Sequence, residues 1–573
     1  MKQIRRISLW LFLLLASLTV VRFSAADTIR QTEVGSEEER LRRPRELEVP
    51  ERAEIPIELP PEGELSPIAA GAPPIAVSHI EVDGATLLPD RVARALVSGV
   101  EGREVPLQDL RRVALAVTRW YRGRGYVTSR ALVPAQGVEK GVVHLRVVEG
   151  KVGQVRIEGN KYFPTELLAG YVRVHPGEIL YMPRIEAALV QINSSPDRKA
   201  KLVLVPASQP ETTDLVFQVT DKYPFHANYA VDTLGTKETG EIRQSVLLSH
   251  GNVTGHDDQA LIKGVITEFG GLKGGAFSYY RPLNPSGLAG TFDASGVTSS
   301  VGGDLENLRA RGNAITLSPG LVVPLVRRSG WELEATTGFD WKRVRTRLDA
   351  VSDSKDDLRV VRVGTGYLEQ DKRGRSLLIQ ELRVGIPNVL GASHSEDVAA
   401  SRAGAGGSFV RWVTNLVRVQ KGPAGTSLVF RGSSQLTSDR LVPAEQFRLG
   451  GFDTVRGYPE GEFLADYGYQ ATVEARLPSD RILPAFGAAG EKSAWNRLRR
   501  SLLLVGFWDF AEGFLRAPRL GEDADMRLES VGCGFRLRPT AESSLQADFG
   551  WPVGDRDAEK DRPRLHLICR IGF

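Results

Sequence analysis

The chain has 573 residues, of which 42% are hydrophobic, with 74 basic against 70 acidic side chains and a formal net charge of +4. That near balance excludes the dense positive field of a nucleic-acid binder. Two cysteines and eight scattered histidines exclude a disulfide framework and offer no metal-ligand spacing.

Residues 1–26 read as an export signal. Lys2, Arg5 and Arg6 precede an apolar run from Ile7 to Val21, and Ser24-Ala25-Ala26 places small residues before Asp27. Arg22 cuts the run short of the roughly 20 residues a spanning helix needs. No other stretch reaches 18 uninterrupted apolar residues. If the exported chain enters a membrane it must do so as strands, because lipid accepts only helices or closed barrels.

Residues 27–74 form a charged, then Pro-rich linker. Residues 36–43 are a candidate short helix that Pro44 would end. Seven prolines between Pro50 and Pro74 make the rest a semi-rigid spacer, read as a tether rather than a folded unit.

An internal repeat follows. His79-Ile80-Glu81-Val82-Asp83-Gly84 aligns with Gln154-Val155-Arg156-Ile157-Glu158-Gly159 at an offset of 75, as Pro89 does with Pro164. Two small α/β domains are expected, at 75–150 and 151–221, each reading strand, turn, helix, helix, strand, strand. Pro106 to Arg122 is the clearest helix, because Leu107, Leu110, Val113, Ala114, Val117 and Tyr121 repeat on one stripe. Gly123 and Gly125 end it. Thr128–Val133 and Val142–Val148 alternate as strands. The second copy offers a helix over Arg184–Asn193 and strands over Lys201–Val205 and Leu215–Val219.

Residues 222–573 accommodate sixteen strands at about 22 residues per strand and loop, the even count of an outer-membrane barrel. The first eight are Phe225–Leu234, Glu241–His250, Gln259–Phe269, Gly275–Leu283, Thr291–Ser299, Ala314–Val326, Trp331–Arg347 and Leu358–Glu369. The rest are Ser376–Pro387, Ser408–Val419, Ser427–Thr437, Tyr467–Leu477, Ser501–Phe510, Met526–Leu537, Ser544–Trp551 and Arg564–Phe573. The fold class is therefore mainly β: a 16-stranded antiparallel transmembrane β-barrel behind two small α/β domains.

Facing follows from the period of two. On strand twelve Tyr469, Ala471, Val473, Ala475 and Leu477 face lipid, and Gln470, Thr472, Glu474 and Arg476 face the lumen. On strand thirteen Leu502, Leu504, Trp508 and Phe510 share one face, Phe507 and Asp509 the other. The last strand puts Leu565, Leu567, Cys569, Ile571 and Phe573 on its apolar face, and Ile571 and Phe573 read as a C-terminal assembly signal. Cys533 and Cys569 lie on strands separated by one other, roughly 9–10 Å apart. That is too far for a disulfide, and both read as lipid-facing. Sixteen strands enclose a lumen too wide for side chains to fill, so it is water-filled, plugged, or both. Gly404-Ala405-Gly406-Gly407 lacks a phosphate-loop lysine and reads as a turn. No catalytic constellation or cofactor site is evident.

The ordered run Tyr121, Gly125-Tyr126, Ser129-Arg130-Ala131, Pro134, Gln136, Gly141, Val147-Val148-Glu149-Gly150 and Ile157-Glu158-Gly159-Asn160 resembles the tandem POTRA domains of two-partner secretion transporters, the TpsB family of hemolysin-secretion/activation type. Between strands eleven and twelve, a loop at 439–466 carries Val455-Arg456-Gly457-Tyr458. This tetrad resembles the inward-folded loop motif of that family and of the wider barrel-assembly superfamily. The companion Phe-x-Asp appears as Phe507-Trp508-Asp509 on strand thirteen. A guanidinium is a planar fork of donors that suits a carboxylate, so Arg456 is expected to reach Asp509 on the wall and latch the loop in the lumen.

The resemblance implies a barrel in the outer membrane of a Gram-negative-type bacterium, with POTRA domains in the periplasm. They would take an unfolded partner (TpsA-like) exoprotein as an added strand, and it would cross without nucleotide hydrolysis. The other partners implied are outer-membrane lipids and, during biogenesis, the barrel-assembly machinery; nucleic acid is not expected, and the chain is expected to act as a monomer. Whether it also activates its cargo stays open. A barrel-assembly factor of the same superfamily is the alternative. A passive porin has no use for two soluble modules.

Overall fold

The computed structural model describes residues 57–58, 74–300, 310–328, 330–348, 352–394, 397–482, 494–518, 522–540, 542–553 and 562–573. The export signal, the candidate helix at 36–43 and most of the linker lie outside them.

One linker segment is placed, as strand β1 (Ile57–Glu58). The first module then runs β2 (Ile75–Val77), β3 (His79–Asp83), α1 (Asp90–Val97), β4 (Arg103–Val105), α2 (Leu107–Arg122), β5 (Arg130–Leu132) and β6 (Val142–Val148). The second runs β7 (Lys151–Glu158), α3 (Thr165–Tyr171), α4 (Met182–Ile192), β8 (Arg198–Pro206) and β9 (Thr212–Asp221). The α2 stripe is buried as its spacing requires, with Val117 and Tyr121 fully inside against Val143 and Leu145 of β6. In the second module Leu189 and Ile192 of α4 pack on Leu202 and Phe217.

The sheets order β3-β6-β5 and β1-β8-β9-β7. The linker is thus no tether throughout: Ile57 and Glu58 pair in parallel with Leu202 and Val203 on an edge of the second sheet. Pro56 and Pro60, on either side in the sequence, lack the N–H donors a longer strand would need.

The remaining chain closes into a barrel of sixteen antiparallel strands. The first eight are Phe225–Asp232, Arg243–His250, Gln259–Thr267, Leu272–Pro282, Ala289–Ser300, Arg311–Arg328, Trp331–Leu348 and Ser352–Asp371. Strands nine to sixteen are Gly374–Gly385, Phe409–Lys421, Ser427–Thr437, Tyr467–Pro478, Leu502–Phe514, Asp525–Leu537, Ser543–Pro552 and Arg564–Gly572. Strand one meets strand sixteen from Asn228↔Gly572 to Asp232↔Ile568. Closure leaves no unpaired edge, which a lipid environment demands.

The sequence places every strand, with strand seven within one residue, but shortens strands six and eight, which reach 18 and 20 residues. The end of strand eight carries charge on both faces (Lys355 and Asp356), and the alternation fades there. Elsewhere facing follows the pattern: Glu474 and Asp509 are fully buried inside, while Trp508, Leu565 and Ile571 are exposed outside. Cys533 and Cys569 are both free. Among the described residues no helix is long and apolar enough to cross a membrane.

The half of the lumen far from the modules is plugged. The stretch 400–405 and the loop 438–466 both fold inward. Leu441, Val442, Ala444 and Ala405 pack on Val344, Leu358 and Val360 of the wall. Phe447, Leu449, Val455, Tyr458 and Phe463 pack on Ala511, Met526 and Leu528. On the module side a cavity of about 400 Å³ remains, lined by Tyr280, Asp293, Thr336, Arg362 and Glu381 among others.

Candidate functional site: a latched loop in the barrel lumen

Loop 438–466 is stiffened by a hairpin of Phe447–Leu449 with Phe463–Ala465. Its turn needs glycine: Gly450 and Gly451 have φ of 90° and 106°, and the N–H of Gly461 donates to the Gly450 carbonyl. The hairpin carries Val455-Arg456-Gly457-Tyr458 to the wall formed by strands twelve to sixteen. Val455 is fully buried, and the Tyr458 hydroxyl donates to the Glu529 carbonyl at 3.2 Å.

Arg456 is 3% exposed. Its Nε and Nη2 donate to the two oxygens of Asp509 at 2.8 and 2.9 Å, a bidentate fork, and its backbone N–H adds a third bond at 3.1 Å. Its Nη1 donates to Glu474 at 2.8 Å and to Asp548 at 3.4 Å. The guanidinium lies 3.4 Å from the centroid of the Phe507 ring. The Phe-x-Asp pair thus supplies a π-face below the cation and an acid at its edge. Removing a guanidinium from water is costly unless its charge is matched. Here four arginines, Arg431, Arg456, Arg476 and Arg536, meet three carboxylates, Glu474, Asp509 and Asp548.

The sequence singled out Arg456, Phe507 and Asp509 but not Asp548 or Arg536, and it placed Glu474 in the lumen without a role. Register brings them together, since Thr472 pairs with Asp509 and Glu474 with Phe507 across strands twelve and thirteen, and Gly534 with Asp548 across fourteen and fifteen. Two further anchors also escape the sequence. Glu445 sits between Lys342 and Arg411, at 2.7 and 2.5 Å. Asp466 accepts from Arg402 at 2.7 Å and from the backbone N–H groups of Leu441 and Arg516.

The module residues form a second group. Glu149 accepts hydrogen bonds from the N–H groups of Thr86 and Leu87 at 2.8 Å, from the Thr86 hydroxyl, and from the Tyr121 hydroxyl at 2.6 Å. Burial pushes its carboxyl up, but those donors outweigh burial and hold it below the usual carboxylate range. Burial and the neighbouring Glu149 push the Tyr121 phenol up. The second copy solves the same turn with Asp221, which accepts from the N–H groups of Lys161, Tyr162 and Phe163. Gly84 and Gly159 are equivalent as the repeat requires: both have positive φ, and a Cβ would lie 2.5 Å from the carbonyl oxygens of Val147 and Val219. Asn160 donates to the Phe163 carbonyl. Gly125-Tyr126 seats one module on the other: the Met182 N–H donates to the Gly125 carbonyl at 2.9 Å, and the Tyr126 and Tyr181 rings lie 5.1 Å apart. The Leu180 N–H donates to the Gly150 carbonyl.

The second module is fixed to the barrel rim. Arg198 forks onto Asp257, in the turn after strand two, at 2.5 and 2.6 Å, and stacks on Phe163. The Tyr171 hydroxyl adds 2.8 Å to the same carboxylate, and burial with Asp257 nearby pushes that phenol up. His226 of strand one reaches Asp197 at 2.7 Å. Ile571 and Phe573 lie exposed at the seam, where Ala227 and Phe573 exchange backbone bonds of 3.2 and 2.8 Å.

A closed sixteen-stranded barrel, two small α/β modules at one mouth and an arginine-bearing loop folded into the lumen define an outer-membrane transport barrel of the POTRA-plus-barrel superfamily. The family model for the POTRA domain, ShlB-type, matches residues 75–150, and that for the haemolysin secretion/activation protein ShlB/FhaC/HecB matches residues 211–483. The chain belongs to this family of two-partner secretion transporters. Among its relatives, the heme/hemopexin transporter protein HuxB of Haemophilus influenzae is 22% identical over 539 residues, covering 90% of this chain and 92% of the relative. The outer membrane transporter CdiB of Escherichia coli O6:K15:H31 (strain 536 / UPEC) is 26% identical over 418 residues, covering 71% and 69%. The solved structure of CdiB from Escherichia coli superposes with a TM-score of 0.69 at 21% identity, covering 94% of this chain and 96% of that one. The modules therefore face the periplasm and the plugged half faces the cell surface.

Proposed function

We infer that this outer-membrane transporter secretes a partner exoprotein through its barrel, receiving it on the two periplasmic modules. One observation carries the reading: an inward loop, tied by Arg456 to Glu474, Asp509 and Asp548, fills the surface half of a lumen that keeps a cavity of about 400 Å³ on the side of a fixed second module. A passive pore has no use for either device. The exoprotein arrives extended and adds as a strand to an exposed sheet edge, which gives main-chain pairing without demanding one sequence. Folding at the surface then opposes return. Lipids hold the outer face, the barrel-assembly machinery inserts the chain, and a single copy is the working unit.

The test is deletion of the gene followed by comparison of proteins in the culture medium and in the outer membrane. Loss of one large protein from the medium, restored by the wild-type gene, supports secretion. An unchanged medium with depleted outer-membrane barrels replaces this reading with barrel assembly.

A further inference from the structure

The pore loop is held at both ends by charges of opposite sign. At one end its cation, Arg456, sits on acids of the wall. At the other end its acid, Glu445, sits between cations of the wall. Lys342 Nζ of strand seven donates to Glu445 Oε1 at 2.7 Å and to the Ala444 carbonyl at 3.2 Å. Arg411 of strand ten lies 2.5 Å from Glu445 Oε2, and its Nη1 donates to the Glu445 carbonyl at 2.8 Å. Gln435 of strand eleven donates to that carbonyl at 3.0 Å. None of Glu445, Lys342 and Arg411 is more than 1% exposed.

The two anchors take different arcs of the ring. Glu445 is held by strands seven, ten and eleven, and Arg456 by strands twelve, thirteen and fifteen, so the anchors share no wall strand. The loop is therefore tied to the wall at two separate places inside the lumen. An extended polypeptide passing through the surface half must displace it, and displacement must break one anchor. Each broken anchor leaves buried charge without its partner, which is expensive in a dry site. Resting closure then follows from both ends.

We propose that Glu445 is a second positioning residue of the pore loop, holding it inside the lumen against Lys342 and Arg411, and that this anchor sets pore closure together with Arg456. The proposal rests on the secretion reading for its purpose, but closure itself is measured without any exoprotein.

The experiment is electrical conductance of the purified full-length protein in planar lipid bilayers. Glu445→Gln keeps the shape and removes the charge, and its time-averaged conductance rises several-fold over wild type. Glu445→Asp keeps the charge and stays closer to wild type than Gln does. Lys342→Met combined with Glu445→Gln also removes a buried cation that has lost its partner. The double variant regains thermal stability relative to Glu445→Gln and stays leaky, whereas a merely structural role would restore both. Wild-type conductance in Glu445→Gln, or in the double variant if the single one does not fold, overturns the proposal. A leaky variant in a host whose medium is unchanged by gene deletion would uphold the anchor and refute the secretion reading.

Discussion

Gly457 at the tip of the pore loop lies directly on Gly550 of barrel strand fifteen. A Cβ on Gly550 would sit 2.7 Å from both the Arg456 carbonyl carbon and the Gly457 nitrogen. A Cβ on Gly457 would sit 3.0 Å from the Gly550 carbonyl carbon, and its φ of 98° is strained for any other residue. The atoms in the way are backbone, so the tip must lift off the wall if either position gains a side chain. Gly550→Ala is expected to reduce secretion and raise conductance while barrel assembly stays normal. Gly457→Ala adds a conformational cost of about 1–2 kcal/mol and is the more severe. Gly506 is the control, since a Cβ there meets nothing within 4 Å. Secreted protein in the medium, normalised to folded barrel on heat-modifiability gels, reads all three variants.

Arg456→Ala removes the cation that three buried carboxylates share. Asp548 and Glu474 keep Arg536, and Glu474 also keeps Arg476. The Asp509 carboxylate loses both hydrogen bonds from the guanidinium and is left with the N–H of the loop backbone. The barrel is expected to insert and secretion to fall strongly. Arg456→Lys keeps the charge but cannot form the planar fork or cover the Phe507 face, and it should recover only part of the loss. Wild-type secretion by stably assembled Arg456→Ala would remove the latch.

How much of this the sequence shows depends on the length scale of each signal. Strand number and facing follow from the two-residue period, and Glu474 and Asp509 fall on the lumenal face by that rule alone. The tetrad around Arg456 and the Phe507–Asp509 pair are local motifs, legible as such. Asp548, Arg536, Lys342 and Arg411 are single lumenal charges on separate strands, and Glu445 is a single acid in the loop, so only register and the inward fold bring them together. The inward fold of 400–405 is not legible for the same reason. Its Gly404 turn is legible, but the bond from Arg402 to Asp466 joins two distant loops. The pairing of Glu149 with Asp221 as equivalents is hidden because the offset there is 72 rather than 75, from the residue numbers themselves.

The Glu149 carboxyl makes the first module pH-dependent in one direction. Its pKa in the folded chain is depressed below the unfolded value of about 4.3. A depressed carboxylate contributes stability that is fully present above the unfolded pKa and is lost as pH falls through the folded one. Hydrogen exchange at the Thr86 and Leu87 amides, corrected for intrinsic rates, should be flat between about pH 5 and 8 and accelerate only in acid below about 4.3. Glu149→Gln, which loses charge-assisted acceptance of these bonds, should exchange faster throughout and lose the acid step. An acid step that persists in Glu149→Gln would assign it to another group.

The junction of Arg198 with Asp257 fixes the angle at which the second module meets the barrel. Both side chains are buried, at 0% and 6% exposure, and Tyr171 closes the carboxylate from the module side. Arg198→Met leaves a buried carboxylate with only a phenol donor, and breaking such a pair costs about 3–5 kcal/mol. Asp257→Asn leaves the guanidinium its bonds to the Ile192 and Gln191 carbonyls and its place on the Phe163 ring, so it should cost less. The barrel itself keeps its sixteen-strand closure in either variant, because no ladder bond runs through Arg198 or Asp257 to the strands beyond the turn. The loss should therefore appear as motion of the module: faster proteolysis between Lys222 and Pro224 and weaker secretion, with the heat-modifiable barrel unchanged. Arg198→Met with wild-type protease resistance at that site would show that the remaining rim contacts, His226 on Asp197 and Asn252 on the Tyr162 carbonyl, hold the module without it.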